Sequence, residues 1–359
     1  MSTTETKPRY VQLTDGIRAK IQSGEWEEGD RLPSFAEMYR EHGASVATMQ
    51  KAYDQLEKEG FIERRARSGI YVTNPPSVQT GMLAFVVPEK SGTMYYGSSS
   101  YSMKLLHGAH QEAAAHGYQL ALCNINQLQT SKISFSGCIV QGDTELIKSC
   151  ARFGKPVISL ILQVNKVPSV GTDDFAGFKT ITHHLLNLGH RRISIIVNNE
   201  DDHSCPLRLR GYNKAFTESG FPSDSSWQRR LRQYENEHNY VNKGYQEMQQ
   251  WLREGWAELR CTAIVTQNDS TAIGVIKALR EQGYRVPLDV SVTGYDDSGE
   301  DTNFDLKLTT IHVPLEDIAQ KAVRLLDRFT QHSLKDIGKI NFPTHLVKGE
   351  STAKLEGGP

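Results

Sequence analysis

The chain has 359 residues, with 41 Lys+Arg against 42 Asp+Glu and a formal net charge of −1. That length supports two or three domains with full cores, and the balanced charge excludes a global basic field that would hold nucleic acid without selectivity. Five scattered cysteines without a CxxC pair, an N-terminus (MSTTETKPRY) without an apolar stretch, and no run near the roughly 18 apolar residues of a membrane span argue against a secreted or membrane protein and for a reducing cytoplasm.

Residues 1–8 are polar. Tyr10, Leu13, Ile17 and Ile21 then recur at helical spacing up to Gly24. The stretch Arg31 to Val72 predicts two further helices and a hairpin. Ser34 is a candidate N-cap, with Glu37 three residues on completing a capping box; Phe35, Met38 and Tyr39 form an apolar stripe that ends at His42-Gly43. A second helix starts at Ser45, keeps Met49, Ala52, Tyr53 and Leu56 on one face, and closes at Gly60. Phe61 to Arg64, a turn through Ala66 to Gly69, and Ile70 to Val72 read as a two-stranded wing. Two helices joined by a tight turn with a hairpin behind make a winged helix-turn-helix, whose second helix fits a DNA major groove. We therefore expect a DNA-binding domain over residues 1–73. Residues 1–80 carry 11 Lys+Arg and 12 Asp+Glu, so positive charge is local, at Arg64, Arg65 and Arg67 of the wing.

Residues 74–81, with Pro75-Pro76 and small polar neighbours, form an extended linker. From Met82 the texture changes to continuous apolar runs alternating with helical patterns. Strands are expected at 82–87, 119–123, 137–141, 156–162, 192–197, 263–266 and 291–295. Helices are expected at 102–116, 144–153, 174–188, 206–219, 239–254 and 270–282. The fold class is thus α/β: the winged helix is followed by a two-lobed domain with parallel sheets over 82–359. Only residues 124–136 connect two of the strands, and they are expected to hold a loop or a single turn.

In open α/β lobes ligands bind beyond the carboxyl ends of the strands. Arg208, Asn268 and Asp296 fall at such ends, and together they offer donors and acceptors for vicinal hydroxyls. Asn268 or Asp296 could instead cap the turn that follows. The loop 88–101 would form the opposite wall, where Tyr95 and Tyr96 could stack on a sugar face. No catalytic or metal motif stands beside these. GxSxG, GxxxxGK[ST] and HExxH are absent, and the adjacent His183 and His184 point about 100° apart on a helix. No enzyme, cofactor or metal is expected.

Two resemblances sharpen this reading. Leu32-Pro33-Ser34, Ser45, Thr48, Leu56 to Ile62 and Ser68 to Val72 together resemble the DNA-binding domain of the GntR family of bacterial repressors. Members usually carry arginine where this chain has Ala36, Val46 and Gln50, and glycine where it has Arg67. The resemblance then leaves Ser34, Ser45, Val46, Thr48, Gln50, Lys51, Arg64, Arg65 and Arg67 as the DNA-facing set. Gln50 suits an adenine edge and Val46 a thymine methyl. Further on, Gly171 to Asp174, His184 to Ile193, Arg208 to Tyr212, Asn268-Asp269, Gly294 to Asp297, Leu308 to Ile311 and Leu346 to Thr352 resemble, as a set, the effector-binding domain of the LacI/GalR repressors. That domain has a periplasmic-binding-protein fold with a ligand cleft between lobes, and the resemblance places Arg208, Asn268 and Asp296 in it. The order of parts is similar to that of arabinose-repressor-like regulators. It implies a repressor of operator DNA, a carbohydrate effector and a homodimer in which lobe closure changes the spacing of two heads. The alternative is a small-molecule-binding protein whose head docks a protein partner.

Overall fold

The computed structural model describes residues 8–22, 25–26, 29–33, 37–39, 43–65, 68–73, 81–90, 93–94, 100–130, 134–199, 204–232, 239–331 and 338–355. The chain divides into two compact units, Met1–Thr80 and Gly81–Pro359. Of the linker expected at 74–81, only Gly81 is among the described residues.

In the first unit, α1 (Arg9–Gln22) packs against α2 (Val46–Lys58), and residues 37–39 are helical between them. The hairpin pairs β1 (Ile62–Arg65) antiparallel with β2 (Gly69–Val72) in the register Ile62 to Val72. Ile17, Leu32, Met38, Met49, Tyr53, Leu56, Phe61 and Val72 close one small core. The capping box expected at Ser34–Glu37 lies outside the described residues. The second helix has a simple N-cap: Ser45, in extended conformation, accepts from the Thr48 amide at 3.3 Å.

In the second unit, β3 (Met82–Val86), β4 (Gln119–Cys123), β5 (Phe135–Val140), β6 (Val157–Leu160) and β7 (Ser169–Thr172) belong to one parallel sheet, with α3 (Ser100–Ala115), α4 (Ile125–Thr130) and α5 (Thr144–Ala151) between them. The chain then passes into a second lobe. There α6 (Asp174–Asn187), β8 (Ile193–Val197), α7 (Cys205–Glu218), β9 (Gln228–Arg230), α8 (Tyr240–Arg253), β10 (Ala263–Thr266), α9 (Asp269–Glu281) and β11 (Ser291–Thr293) build a four-stranded parallel sheet in the order β9-β8-β10-β11.

After β12 (Thr310–His312) the chain returns to the first lobe. Helix α10 (Leu315–Gln331) packs on α3 and on β5 to β7, and β13 (Lys339–Phe342) adds an edge strand, giving the order β13-β7-β6-β5-β3-β4. Finally β14 (His345–Val347) crosses back to pair antiparallel with β12. The fully buried strands β6, β7, β8 and β10 carry no polar alternation, as expected for parallel strands covered on both faces.

Several elements depart from the expectation: α10, β9, β12, β13 and β14 were not read, and two further cases are informative. The strand β7 falls where no element was read, because Ser-Val-Gly-Thr lacks an apolar run although all four residues are buried. The crossover at 124–136 holds a six-residue helix rather than a single turn. Its stop signal was legible but its start was not read: Asn124 accepts from the Gln127 amide at 2.7 Å and Gln127 returns the favour to the Asn124 amide at 3.0 Å, a capping box built from amides. Residues 131–133 lie outside the described set.

Candidate DNA interface and effector cleft

On α2 the buried residues are Met49, Ala52, Tyr53 and Leu56. The opposite face presents Ser45, Val46, Ala47, Gln50, Lys51 and Asp54. Val46 is 62% exposed although apolar, which a packing role does not explain. Ser45 and Thr48 share a 2.9 Å hydroxyl contact at the helix start. Arg64, expected to be a free wing cation, is instead tied back to α2. Its guanidinium meets Asp54 at 2.5 Å and Glu57 at 3.0 Å. Arg65 pairs with Glu63 at 2.5 Å and lies 4.5 Å from the centre of the Tyr71 ring. The sequence places these acids near the arginines but does not announce the pairing. Ser34 and Arg67 lie outside the described residues.

In the second unit Arg208 and Asp296 sit beyond the ends of β8 and β11. Arg208 lies in the first turn of α7 and is largely enclosed: its Nε and Nη2 both donate to Asp174 Oδ1 at 3.1 Å, and its Nη1 donates to the Gln267 carbonyl at 3.1 Å. The guanidinium also lies 5.2 Å from the ring centres of Phe178 and Tyr295, which stack on each other. Asp174 was missed as a site residue. The signal was present, since Asp173-Asp174 directly follows β7, and Asp173 caps α6 by accepting from the Ala176 amide, which leaves Asp174 to turn inward.

Asp296 holds a left-handed backbone (φ 100°) and Asp297 follows it there (φ 50°). The Asp296 amide donates to the Ile311 carbonyl and its carbonyl accepts from the Val313 amide, so the backbone is anchored on both sides. Burial pushes its carboxyl well above the usual carboxylate range; the neighbouring Asp269 adds to the rise and Arg208 opposes it. Asn268 takes the capping role weighed for it, its side-chain oxygen accepting from the Thr271 amide at 2.8 Å to start α9. It remains half-buried at the end of β10. Tyr95 and Tyr96 lie outside the described residues.

The first lobe contributes Gln141, beyond the end of β5. Its Nε2 donates to Ser102 Oγ at 3.2 Å, while its buried Oε1 has no partner among the described residues. The buried Oε1 of Gln267 in the second lobe is likewise without one. Buried acceptors at two facing sets of strand ends are suited to hydroxyl donors. The lobes touch through Lys104, which donates to the Asp297 carbonyl at 3.0 Å, and through the Ser100 amide, which donates to Glu300 at 2.8 Å.

Behind Asp296 lies Asp269, whose carboxylate accepts from Thr310 Oγ1 at 2.6 Å and the Ser298 amide at 3.1 Å. Burial raises it to about 7, with those two hydrogen bonds pulling the other way. A carboxyl raised in the folded state stabilises fully below its unfolded value, near 3.9, and that contribution is lost as pH climbs through the folded value. The melting temperature should therefore fall between about pH 4 and pH 7 through this group, with Asp296 acting in the same direction. Asp269→Asn should show a flatter dependence across that window, falling furthest below the wild type at pH 5 and least at pH 7.5, which melts at the two pH values would check.

Among the described residues no three His, Cys, Asp or Glu side chains gather as for a metal, and no helix is long and apolar enough to cross a membrane. Comparison with known proteins agrees with both halves of the molecule. Residues 9–72 match the bacterial regulatory proteins of the gntR family, and residues 182–352 match the periplasmic binding protein-like domain. The chain is 29% identical over 374 residues to an arabinose metabolism transcriptional repressor of Geobacillus stearothermophilus, covering 98% of this chain and 99% of that one. It is 27% identical over 376 residues to the protein of that name from Halalkalibacterium halodurans, covering 98% of each. A solved LacI family regulator from Enterococcus faecium with bound ribose superposes with a TM-score of 0.64 at 24% identity, over 77% of this chain and all of that one, which shows the fold. The chain thus joins a region that matches the gntR-family regulators to one that matches the periplasmic binding protein-like domain.

Proposed function

We propose that the chain is a cytoplasmic, ligand-responsive transcriptional repressor. In this reading α2 and the wing bind operator DNA, and a carbohydrate held by Arg208, Asp296 and Asn268 between the two lobes changes the affinity. The observation that carries the reading is the order of parts: a region matching the gntR-family regulators and a periplasmic binding protein-like domain lie in one chain, matched end to end by proteins named as arabinose metabolism repressors. A homodimer fits, because paired heads meet paired half-sites and the lac repressor, a neighbour in fold, is a dimer on its operator. A ligand shifts DNA affinity only through its unequal binding to open and closed lobes.

The test has two parts. From a random duplex library the purified protein should select paired half-sites one or more helical turns apart. A thermal-shift screen of pentoses, hexoses and polyols should then yield a sugar that alters binding to that duplex. A hundredfold excess over Kd stabilises by about 2.7 kcal/mol, a shift of several degrees. Failure to select any duplex at 50 mM salt would sink the repressor reading. It would favour a head that docks a protein, the reading that the self-paired Arg64 and Arg65 support.

A further inference from the structure

The face of α2 turned away from the core carries its own acid. Asp54 lies one turn beyond Gln50 and Lys51, on the side opposite Met49, Ala52 and Tyr53. It is exposed, yet it holds two of the side chains this face would offer to DNA. Gln50 Nε2 donates to Asp54 Oδ1 at 3.1 Å, and Arg64 Nη2 meets the same oxygen at 2.5 Å. Glu57 completes the clasp by accepting from Arg64 Nη1 at 3.0 Å and from the Arg64 amide at 3.3 Å. Around this point two cations, Lys51 and Arg64, face two acids, Asp54 and Glu57, so the patch has no net charge.

A bidentate contact to adenine needs the Gln50 oxygen and nitrogen together, and here the nitrogen is engaged. A phosphate contact needs the Arg64 guanidinium, and here two carboxylates surround it. The clasp is weak in water, because its members are 35%, 52% and 37% exposed. A phosphate can therefore take Arg64 from it.

We infer that Asp54 is an internal competitor for DNA: it occupies Arg64 and Gln50 in the free head, and the duplex must displace it. The inference rests on the head being a DNA reader. It assigns Asp54 the setting of affinity and reading, and it explains how a head with arginines in its wing can stay neutral away from its operator.

The experiment uses the full chain and the duplex that the wild-type protein selects. Asp54→Asn keeps the shape and removes the charge. Removing the competitor should tighten binding roughly two- to fivefold per head at 0.1 M monovalent salt and leave the salt dependence unchanged, because Arg64 reaches the same phosphate in both complexes. The gain should vanish in an Arg64→Ala background, and Asp54→Asn should select duplexes with a new adenine preference opposite Gln50. An equal gain with and without Arg64 would mean simple charge repulsion and would overturn the clasp. Weaker binding by a normally melting Asp54→Asn would also overturn it, by making Asp54 an orienting residue for the wing. If the wild type selects no duplex, the repressor reading falls first and takes this inference with it. If it selects one and Asp54→Asn binds it unchanged, only the inference falls.

Discussion

Asp296→Ala should reduce effector affinity by about a hundredfold or more, with the fold intact. The carboxyl is the one acidic group of the cleft without a hydrogen bond among the described residues, while Asp174 and Asp269 are both engaged. Its backbone is held by Ile311 and Val313, so losing the side chain leaves φ and the neighbouring loop in place. Two hydroxyls donating to a carboxylate contribute about 1.5–3 kcal/mol each, which converts to that loss or more. Titration calorimetry with the sugar found by melting would measure it. Retained affinity would move the binding site elsewhere. The melting temperature of Asp296→Ala without ligand should hold or rise, since a buried carboxyl that resists ionisation is removed.

Arg208→Met should have the larger effect on stability. The side chains of Arg208 and Asp174 are 13% and 8% exposed, and removing the cation strands an acid in a site with little water. Breaking a buried pair in this way costs about 3 kcal/mol or more, whereas replacing both partners together is often neutral. For a domain of this size the melting temperature should drop by roughly 6–12 °C. Arg208→Met with Asp174→Asn should recover most of it without restoring effector binding. A single variant that melts like the wild type would show that the pair is hydrated and that Arg208 serves the ligand alone. Differential scanning calorimetry on the three proteins separates these outcomes.

The lobes were legible because most of the buried parallel strands, β7 excepted, write themselves as apolar runs and most helices as 3.6-residue stripes. Both appear plainly at Ile193 to Val197 and at Asp269 to Glu281. What periodicity cannot carry is which partner an element meets. The stripe Leu315, Ile318, Ala319, Ala322, Val323, Leu326 is as regular as any in the chain. Yet nothing local says that α10 leaves the second lobe to cover the first, where Leu326 lies against Gly137. The strand-end positions of Arg208, Asp296 and Asp174 could be read, but the pairing of Arg208 with Asp174 could not, because the two lie 34 residues apart and meet only through the packing of α6 on α7. The same holds for Arg64, whose partners sit on the preceding helix and entered only the charge total of residues 1–80.

The chain passes between the lobes three times, after β7, before α10 and between β13 and β14. Three side-by-side strands of covalent chain resist sliding and separation far more than they resist a common bend. Whatever energy the effector supplies is therefore channelled into a single rotation. A protease that cut any one of the three connections would loosen that axis without releasing either half, so a nicked protein should still hold its sugar while losing the coupling that makes the sugar a signal.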